Sequence, residues 1–464
     1  MAAIDVVVMA AGKGTRMKSK TPKVLHKLGG RALVAHVVDT AARLKARSAV
    51  VVTGHGAIEV EAYLDQYTKA FGTFGLKFVR QEPQLGTGHA VQQTVPELCD
   101  DGIVVVLSGD VPLTQAGTLQ TLIDACGGER LALLTIEFDD PSGYGRVLRE
   151  GDAIKAIVEQ KDATQEQLRV KEIYSGIMAV PARLLKGWLA RLDNRNAQGE
   201  YYLTDIVKFA VADGVPVVAH RIDDAAQVAG VNSPVQLAEL ERELQTRIAR
   251  TLMEQGVRLA DPARLDVRGN LTCAQDVDID VNCVFEGDVS LGEGVSIGAN
   301  CVIANARIDA DAVIHPFTHI DGEQAGVTVG AGARVGPFAR LRPGAQLGEQ
   351  VHIGNFVEVK NSTLAAGAKA NHLAYLGDAT VGERVNYGAG SITANYDGAN
   401  KHRTVIGADV HVGSNCVLVA PVTLGAGATV GGGSTITQDV APGALAVARG
   451  RQVAVGGWVR PVKK

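Results

Sequence analysis

The chain has 464 residues, 46% of them hydrophobic and 21% charged, with a formal net charge of -4 and a pI near 6.3. Its length predicts two or three domains, and its balanced charge excludes a broad basic field for nucleic acid or an anionic membrane, so anionic ligands must be met by local clusters. Six cysteines without CxxC spacing argue against a zinc ribbon or a secreted disulfide framework and fit a reducing cytosol.

Residues 4–9 form a short apolar run that contains Asp5 and is too brief for a signal peptide, so a cytoplasmic location is expected. The run predicts a buried strand that breaks into AAGKGTRM at 10–17, the strand-to-glycine-loop order with which many α/β folds begin to bind phosphate. It is neither a Walker A motif nor a full GxGxxG, because Met17 stands at the last glycine position. A plain tight turn would account for the glycines alone. The three cations Lys13, Arg16 and Lys23 favour an anion site.

Further apolar runs at 49–53, 78–80, 103–107 and 131–136 alternate with helical patterns, which predicts a largely parallel sheet covered on both faces, with ligands at the carboxyl ends of its strands. Asp110 directly follows one of these strands. It is either an ordinary turn former or a ligand for the Mg2+ that a triphosphate brings.

At Ser233 the composition changes. Ser233 suits an N-cap and Pro234 the first helical position, while Leu237, Leu240, Leu244, Ile248 and Leu252 mark one face of a helix that stops near Gly256. This predicts a linker helix between two domains; a bundle-like or calmodulin-type binding face is the alternative. Residues 264–281 then lead into a repeat. Leu291, Ile297 and Ile303, then Ile308, Ile314 and Ile320, then Val329, Val335, Leu341, Leu347, Ile353 and Val359 recur at six-residue spacing, and Ile406, Val412, Leu418, Leu424, Val430 and Ile436 resume it.

A period of six fits neither a helix nor simple alternation and predicts a parallel β-helix of hexapeptide repeats. With three hexads to a turn, about 18 residues separate stacked positions, so Cys283 and Cys301 should stack as packed thiols. Residues 412–438 lack charge, but their Gly, Thr, Ser and Pro content marks solenoid and not a membrane span. A rigid spacer or trimerisation stalk would explain the repeat alone. It would not explain the interruption read at 359–400, which is crowded with Lys360, Asn371, His372, Tyr375, Asn386, Tyr387, Asn395, Tyr396, Asp397 and Lys401. The last stretch, 444–464, ends the repeat and carries Arg449, Trp458 and the basic tail Arg460, Lys463 and Lys464.

Long strings then narrow the reading. In the second half they are GPFARLRPGA at 336–345, NFVEVK at 355–360, HLAYLGD at 372–378 and NYDGANK at 395–401. In the first half they are AAGKGTRM, PKVLH at 22–26, QLGTGHA at 84–90, GDVPL at 109–113, GYGR at 143–146, VEQKDA at 158–163, NAQGEYYLTD at 196–205 and GVN at 230–232. Through both sets the chain resembles the bacterial bifunctional N-acetylglucosamine-1-phosphate uridylyltransferase/glucosamine-1-phosphate acetyltransferase family. The resemblance implies an α/β Rossmann-like nucleotidyltransferase domain with a mostly parallel sheet over 1–232, a linker helix over 233–255, and a left-handed parallel β-helix acetyltransferase domain over 256–464. It also supplies what composition cannot, uridine as the base.

Carried over by residue, the resemblance implies that the backbone of Met9, Ala10, Ala11 and Gly12, with Lys23, Gln81, Gln84, Gly86 and Thr87, holds the UTP. Gly145, Glu159 and Tyr174 would meet the sugar, and Asp110 and Asn232 would ligate Mg2+. Arg342 and Lys360 would bind the phosphate of glucosamine 1-phosphate, Tyr375 and Asn386 would position its sugar, and His372 would be the catalytic base. Ala389, Asn395, Tyr396, Ser414, Gly432 and Arg449 would line the path of acetyl-coenzyme A. The family completes its acetyl site across a homotrimer, which is therefore expected here. Three positions depart from the pattern: Tyr174 where many relatives have Asn, Ser108 where Tyr also occurs, and Gly432 where some have Ala.

The chemistry agrees with these residue types. Acetyl transfer to an amine needs a base and donors for a tetrahedral oxyanion, and His is the side chain most readily tuned near neutral pH. Uridylyl transfer asks the protein mainly for positioning and charge neutralisation. Two other readings remain at this point. One keeps only the nucleotidyltransferase and treats the solenoid as an oligomerisation or regulatory module. The other is a zinc β-helix hydratase of the γ-carbonic anhydrase type, for which His315, His319, His352, His372, His402 and His411 offer imidazoles without that family's strings.

Overall fold

The computed structural model describes residues 2–71 and 75–463, so that Lys464 of the basic tail lies outside the described residues. The chain divides into two compact units, Met1–Leu244 and Gln245–Lys464.

The first unit is built on a sheet whose main path runs Val217–Arg221, Leu131–Glu137, Glu172–Pro181, Ile103–Ser108, Ile4–Met9, Ser48–Thr53 and Leu76–Arg80. All neighbours on this path pair in parallel except Glu172–Pro181, which runs against both strands beside it. A hairpin of Gly145–Glu150 and Ala153–Val158 branches off where Tyr174 pairs with Gly145. The strands are nearly continuous apolar runs because both faces are covered. Val6, Val8, Val51 and Val105 pack into one core, and Val7, Val50, Val52, Val104 and Val106 into the other. The expected strands at 4–9, 49–53, 78–80, 103–107 and 131–136 all form, most of them one or two residues longer than expected.

The helix Pro234–Glu254 starts where Ser233 Oγ accepts the N–H of Gln236 at 3.3 Å. Its early apolar face, with Leu237, Leu240 and Leu244, packs with Met17, Leu28 and Leu33 of the first unit. Its later residues Ala249 and Leu252 belong to the core of the second. No helix of the described residues is long and apolar enough to cross a membrane.

The second unit is a left-handed β-helix of short parallel strands in which the hexad residues form interior columns. Val335 pairs with Ile353, Ile353 with Ala370, Ala370 with Tyr387, Tyr387 with Val412 and Val412 with Val430. Another column runs through Leu347, Leu364, Val381, Ile406 and Leu424. All of these side chains are buried. Cys283 and Cys301 occupy equivalent places on successive turns, and all six cysteines are free thiols.

These columns correct the expected interruption. The coil continues through 363–394, where Ala370, Tyr387 and Thr393 take interior slots that an aliphatic pattern does not register, and one-residue-short steps from Val359 to Leu364 and from Leu376 to Val381 shift its phase. Only residues 395–402 leave it, as a loop between Ile392–Ala394 and Thr404–Ile406. Beyond Leu445–Ala446, residues 447–463 form neither helix nor strand, and Trp458 is exposed.

Candidate active sites

In the first unit the strands Ile4–Met9 and Ile103–Ser108 end side by side, with Gly109 N–H donating to Met9 O at 2.9 Å. Their exits open on a cavity of about 270 Å³ that gathers Met9, Ala10, Ala11, Gly12, Lys23, Gln81, Gln84, Gly86, Thr87 and Asp110, ten of the expected nucleotide-site residues. A Cβ on Gly12 would meet nothing within 4 Å, so its backbone is open to a ligand. Gly86 is required for a different reason. At φ +108° its Cβ would lie 2.7 Å from Tyr201 O, and this close approach brings Gly88 N–H onto the same carbonyl at 2.7 Å. Gln81 Nε2 donates to Gly86 O at 2.8 Å and fixes the loop from inside.

Lys23 reaches the centre of this cavity. Its ammonium pairs with Asp110 Oδ2 and donates to Asn232 Oδ1 at 3.2 Å, while Ser108 Oγ donates to Asp110 Oδ1 at 2.5 Å. Lys13 and Arg16, the other cations of the loop, are exposed. Two hard oxygens, one carboxylate and one amide, thus converge on a single cationic group, a donor set that would fit Mg2+ completed by water and phosphate. Among the described residues no group of three His, Cys, Asp or Glu side chains gathers to hold a metal within the chain.

A second cavity of about 190 Å³ shares Met9 and Thr87 with the first and is lined by Gly145, Glu159 and Tyr174. Thr204 Oγ1 donates to Glu159 Oε1 at 3.0 Å, and burial raises the Glu159 carboxyl above the ordinary range. The hydroxyl of Tyr174 is buried without a hydrogen-bond partner among the described residues. The residue-by-residue expectation had omitted Glu200, Thr204, Ser175 and Tyr144, which also line these cavities. Glu200 and Thr204 belong to the string NAQGEYYLTD, and Tyr144 to GYGR; Ser175 had no signal beyond its neighbour Tyr174.

In the second unit the expected residues lie on the outer surface of consecutive turns. Arg342 donates to Glu358 Oε1 at 2.8 Å, and Glu358 stacks on Tyr375 of the next turn. Lys360 lies close to Lys401 of the projecting loop, and that neighbouring charge lowers its pKa. His372 and Asn386 are on the adjoining face, where His372 Nδ1 contacts Asn355 Oδ1 at 2.9 Å and Asn386 Nδ2 contacts His411 Nδ1 at 3.3 Å. The corner at Leu373 thus separates His372 from Tyr375.

A third group follows one column. Because Tyr387, Val412 and Val430 are in register, Ala389, Ser414 and Gly432 lie one above another, and Arg449 Nη1 donates to Gly432 O at 2.7 Å. Asn395 Nδ2 binds Asp378 Oδ2, whose other oxygen accepts from Asn361. The loop carrying exposed Tyr396 is tied by Asp397, which accepts from Ala399 N at 2.8 Å, Asn400 N at 2.6 Å and contacts His402 Nε2 at 2.7 Å. These contacts hold the Asp397 carboxyl well below the usual range. The chain therefore brings together the residues expected at the nucleotide site but spreads those expected at the acetyl site over two faces and a corner.

Comparison with known proteins agrees with this division. The model of the MobA-like NTP transferase domain matches residues 6–168, and that of the bacterial transferase hexapeptide, six repeats, matches residues 403–438. A curated relative from Albidiferax ferrireducens, named Bifunctional protein GlmU, is 75% identical and covers 99% of this chain and 100% of its own. Proteins of the same name from Polaromonas naphthalenivorans, covering 99% of this chain and 98% of their own, and from Herminiimonas arsenicoxydans, covering 99% of both, are 77% and 55% identical.

Proposed function

The chain belongs to the family of bifunctional GlmU proteins, and from that premise we propose how its two units divide the work. It is a bifunctional transferase of UDP-N-acetylglucosamine biosynthesis, acetylating glucosamine 1-phosphate with acetyl-coenzyme A and then transferring UMP from UTP to N-acetylglucosamine 1-phosphate with release of pyrophosphate. The product is a precursor of peptidoglycan and lipopolysaccharide. In our reading residues 1–232 carry uridylyl transfer, 256–464 carry acetyl transfer, the helix at 233–255 links them, and the protein works in the cytoplasm.

For uridylyl transfer, the backbone of residues 9–12 with Gln81, Gln84, Gly86 and Thr87 holds UTP. Gly145, Glu159 and Tyr174 hold the acetylated sugar. Asp110 and Asn232 hold Mg2+, which when bound supplies positive charge to the triphosphate and the departing pyrophosphate. Lys23, in the same cavity, would lend its charge to the phosphates. The sugar phosphate then attacks the α-phosphorus in line, and alignment of the two substrates in the joined cavities supplies most of the catalysis.

For acetyl transfer, His372 is the base. With Nδ1–H donated to Asn355, its Nε2 lone pair is free to take the proton of the attacking amine. Arg342 and Lys360 bind the sugar phosphate, Tyr375 and Asn386 position the sugar, and Ala389, Asn395, Tyr396, Ser414, Gly432 and Arg449 line the acetyl-coenzyme A path.

A homotrimer brings the separated groups together. The observation that carries this is a ladder at the corner of the coil beside His372. Phe317, Phe338 and Phe356 are stacked with centroids 5.0 and 5.3 Å apart, and with Leu373 they are 47–62% exposed. All four have left-handed backbone, φ 52° to 60°, a conformation that bulky residues pay for and that Asn282, Asn300 and Asn415 adopt at the same corner on other turns. Large apolar side chains held there in spite of strain suit contact with further copies.

The test is mass-resolved chromatography of products formed from glucosamine 1-phosphate, acetyl-coenzyme A, UTP and Mg2+, omitting each in turn. UDP-N-acetylglucosamine should require all four, and N-acetylglucosamine 1-phosphate should accumulate without UTP. Uridylylation of supplied N-acetylglucosamine 1-phosphate with no acetylation would reduce the coil to a structural module.

A further inference from the structure

Asn361, Asp378 and Asn395 lie 17 residues apart on successive turns of the coil and form a short ladder where the loop at 395–402 leaves it. Asp378 is 6% exposed. Its Oδ1 accepts from Asn361 Nδ2 and its Oδ2 from Asn395 Nδ2. Its backbone is held as well: its N–H donates to Lys360 O at 3.1 Å, and Thr404 N–H, where the loop returns, donates to its O at 3.1 Å. Stacking alone does not call for a carboxylate here, because amides can chain head to tail, as Asn282 Nδ2 does in donating to Asn300 Oδ1 at 3.1 Å on earlier turns.

A carboxylate on the middle rung changes the sense of the ladder. It only accepts, so both neighbours must turn Nδ2 toward it, and Asn395 Oδ1 is left as the end that points away. With an amide on the middle rung, Asn361 could still donate to it, but its own NH2 would then face Asn395 and demand the opposite flip. We propose that Asp378 is a positioning residue for acetyl transfer, fixing the Asn395 amide so that its oxygen is offered to a donor group of acetyl-coenzyme A. This rests on the assignment of Asn395 to the acetyl-coenzyme A path.

The experiment titrates coenzyme A into the full chain by calorimetry and measures the KM for acetyl-coenzyme A. Asp378→Asn should weaken both roughly tenfold, with uridylyl transfer unchanged. Removing a negative charge would by itself favour an anionic ligand, so weaker binding cannot be a charge effect. The double variant Asn361→Asp with Asp378→Asn moves the carboxylate one rung back. The amide at 378 can then donate to position 361 and accept from Asn395, which restores the original flip. Both positions have left-handed backbone, φ 44° and 49°, which Asn and Asp accept alike. The double variant should return to within about twofold of the parent, and this comparison stands even if the single variant folds poorly. Unchanged coenzyme A affinity in Asp378→Asn, or a folded double variant that binds as weakly as the single one, overturns the inference. A parent protein that binds no coenzyme A would instead overturn the assignment of the path.

Discussion

Asp110 has each carboxylate oxygen committed: Oδ2 to Lys23 and Oδ1 to Ser108. Were Asp110 to hold a metal, the Ser108 hydroxyl would fix the carboxylate's rotation, and outer partners of metal ligands are commonly worth ten- to a hundredfold in affinity. Ser108→Ala should therefore raise the half-saturating Mg2+ concentration for uridylyl transfer roughly tenfold and weaken Mn2+ binding measured by calorimetry in parallel, with acetyl transfer intact. Equal metal affinity would show that the serine only fills space. Glu159 makes a pH prediction. Burial raises its carboxyl, so between the ordinary carboxylate value and the raised one the unfolded chain has lost a proton that the folded chain keeps. Stability then falls as pH rises through that window and is level above it. Glu159→Gln abolishes this slope, so the variant should gain stability relative to the parent as urea unfolding is followed upward from about pH 4, and a constant difference would exclude the carboxyl as the cause.

At the scale of the element, most of the coil was legible because its interior slots hold Val, Ile and Leu, which register as a period of six. The stretch 363–394 was not, because Ala370, Tyr387 and Thr393 fill the same slots by other physics. Thr393 keeps its place by bonding: its Oγ1 accepts from Gly377 N–H at 2.8 Å and donates to Gly377 O at 2.9 Å, which satisfies two buried backbone groups of the turn beside it. Thr393→Val keeps the shape and removes both bonds, and should destabilise the coil by about 1–3 kcal/mol, read as a lower denaturation midpoint of its β-sheet signal; an unchanged midpoint would mean that water replaces the hydroxyl. The nucleotide cavity was the easier part to read. Its residues follow strand ends and lie close in sequence, at 9–12, 81–87 and 108–110, so local strings predict convergence. The pairing of Thr204 with Glu159 and the orphaned hydroxyl of Tyr174 depend on three-dimensional packing, which no short string encodes.

At the scale of the whole molecule, the two active sites ask different things of the chain. The residues proposed for the nucleotide site converge inside one unit, whereas His372 lies around a corner from Arg342, Lys360 and Tyr375, with the aromatic ladder at that corner. If copies of the chain meet there, assembly should govern one activity and not the other. Phe338→Asn with Phe356→Asn tests this without injuring the coil, because both positions have φ 56° and Asn accepts left-handed backbone more readily than Phe. The monomer fold should keep or gain stability while losing the apolar surface. Light scattering should then fall from the mass of three 48.5 kDa chains toward that of one, and acetyl transfer should fall at least a hundredfold as the separated groups lose their partners. Uridylyl transfer should stay within about twofold, a difference below 0.5 kcal/mol. Loss of both activities together would mean that assembly also shapes the nucleotide site; a trimer that persists with full acetylation would remove the ladder from the interface.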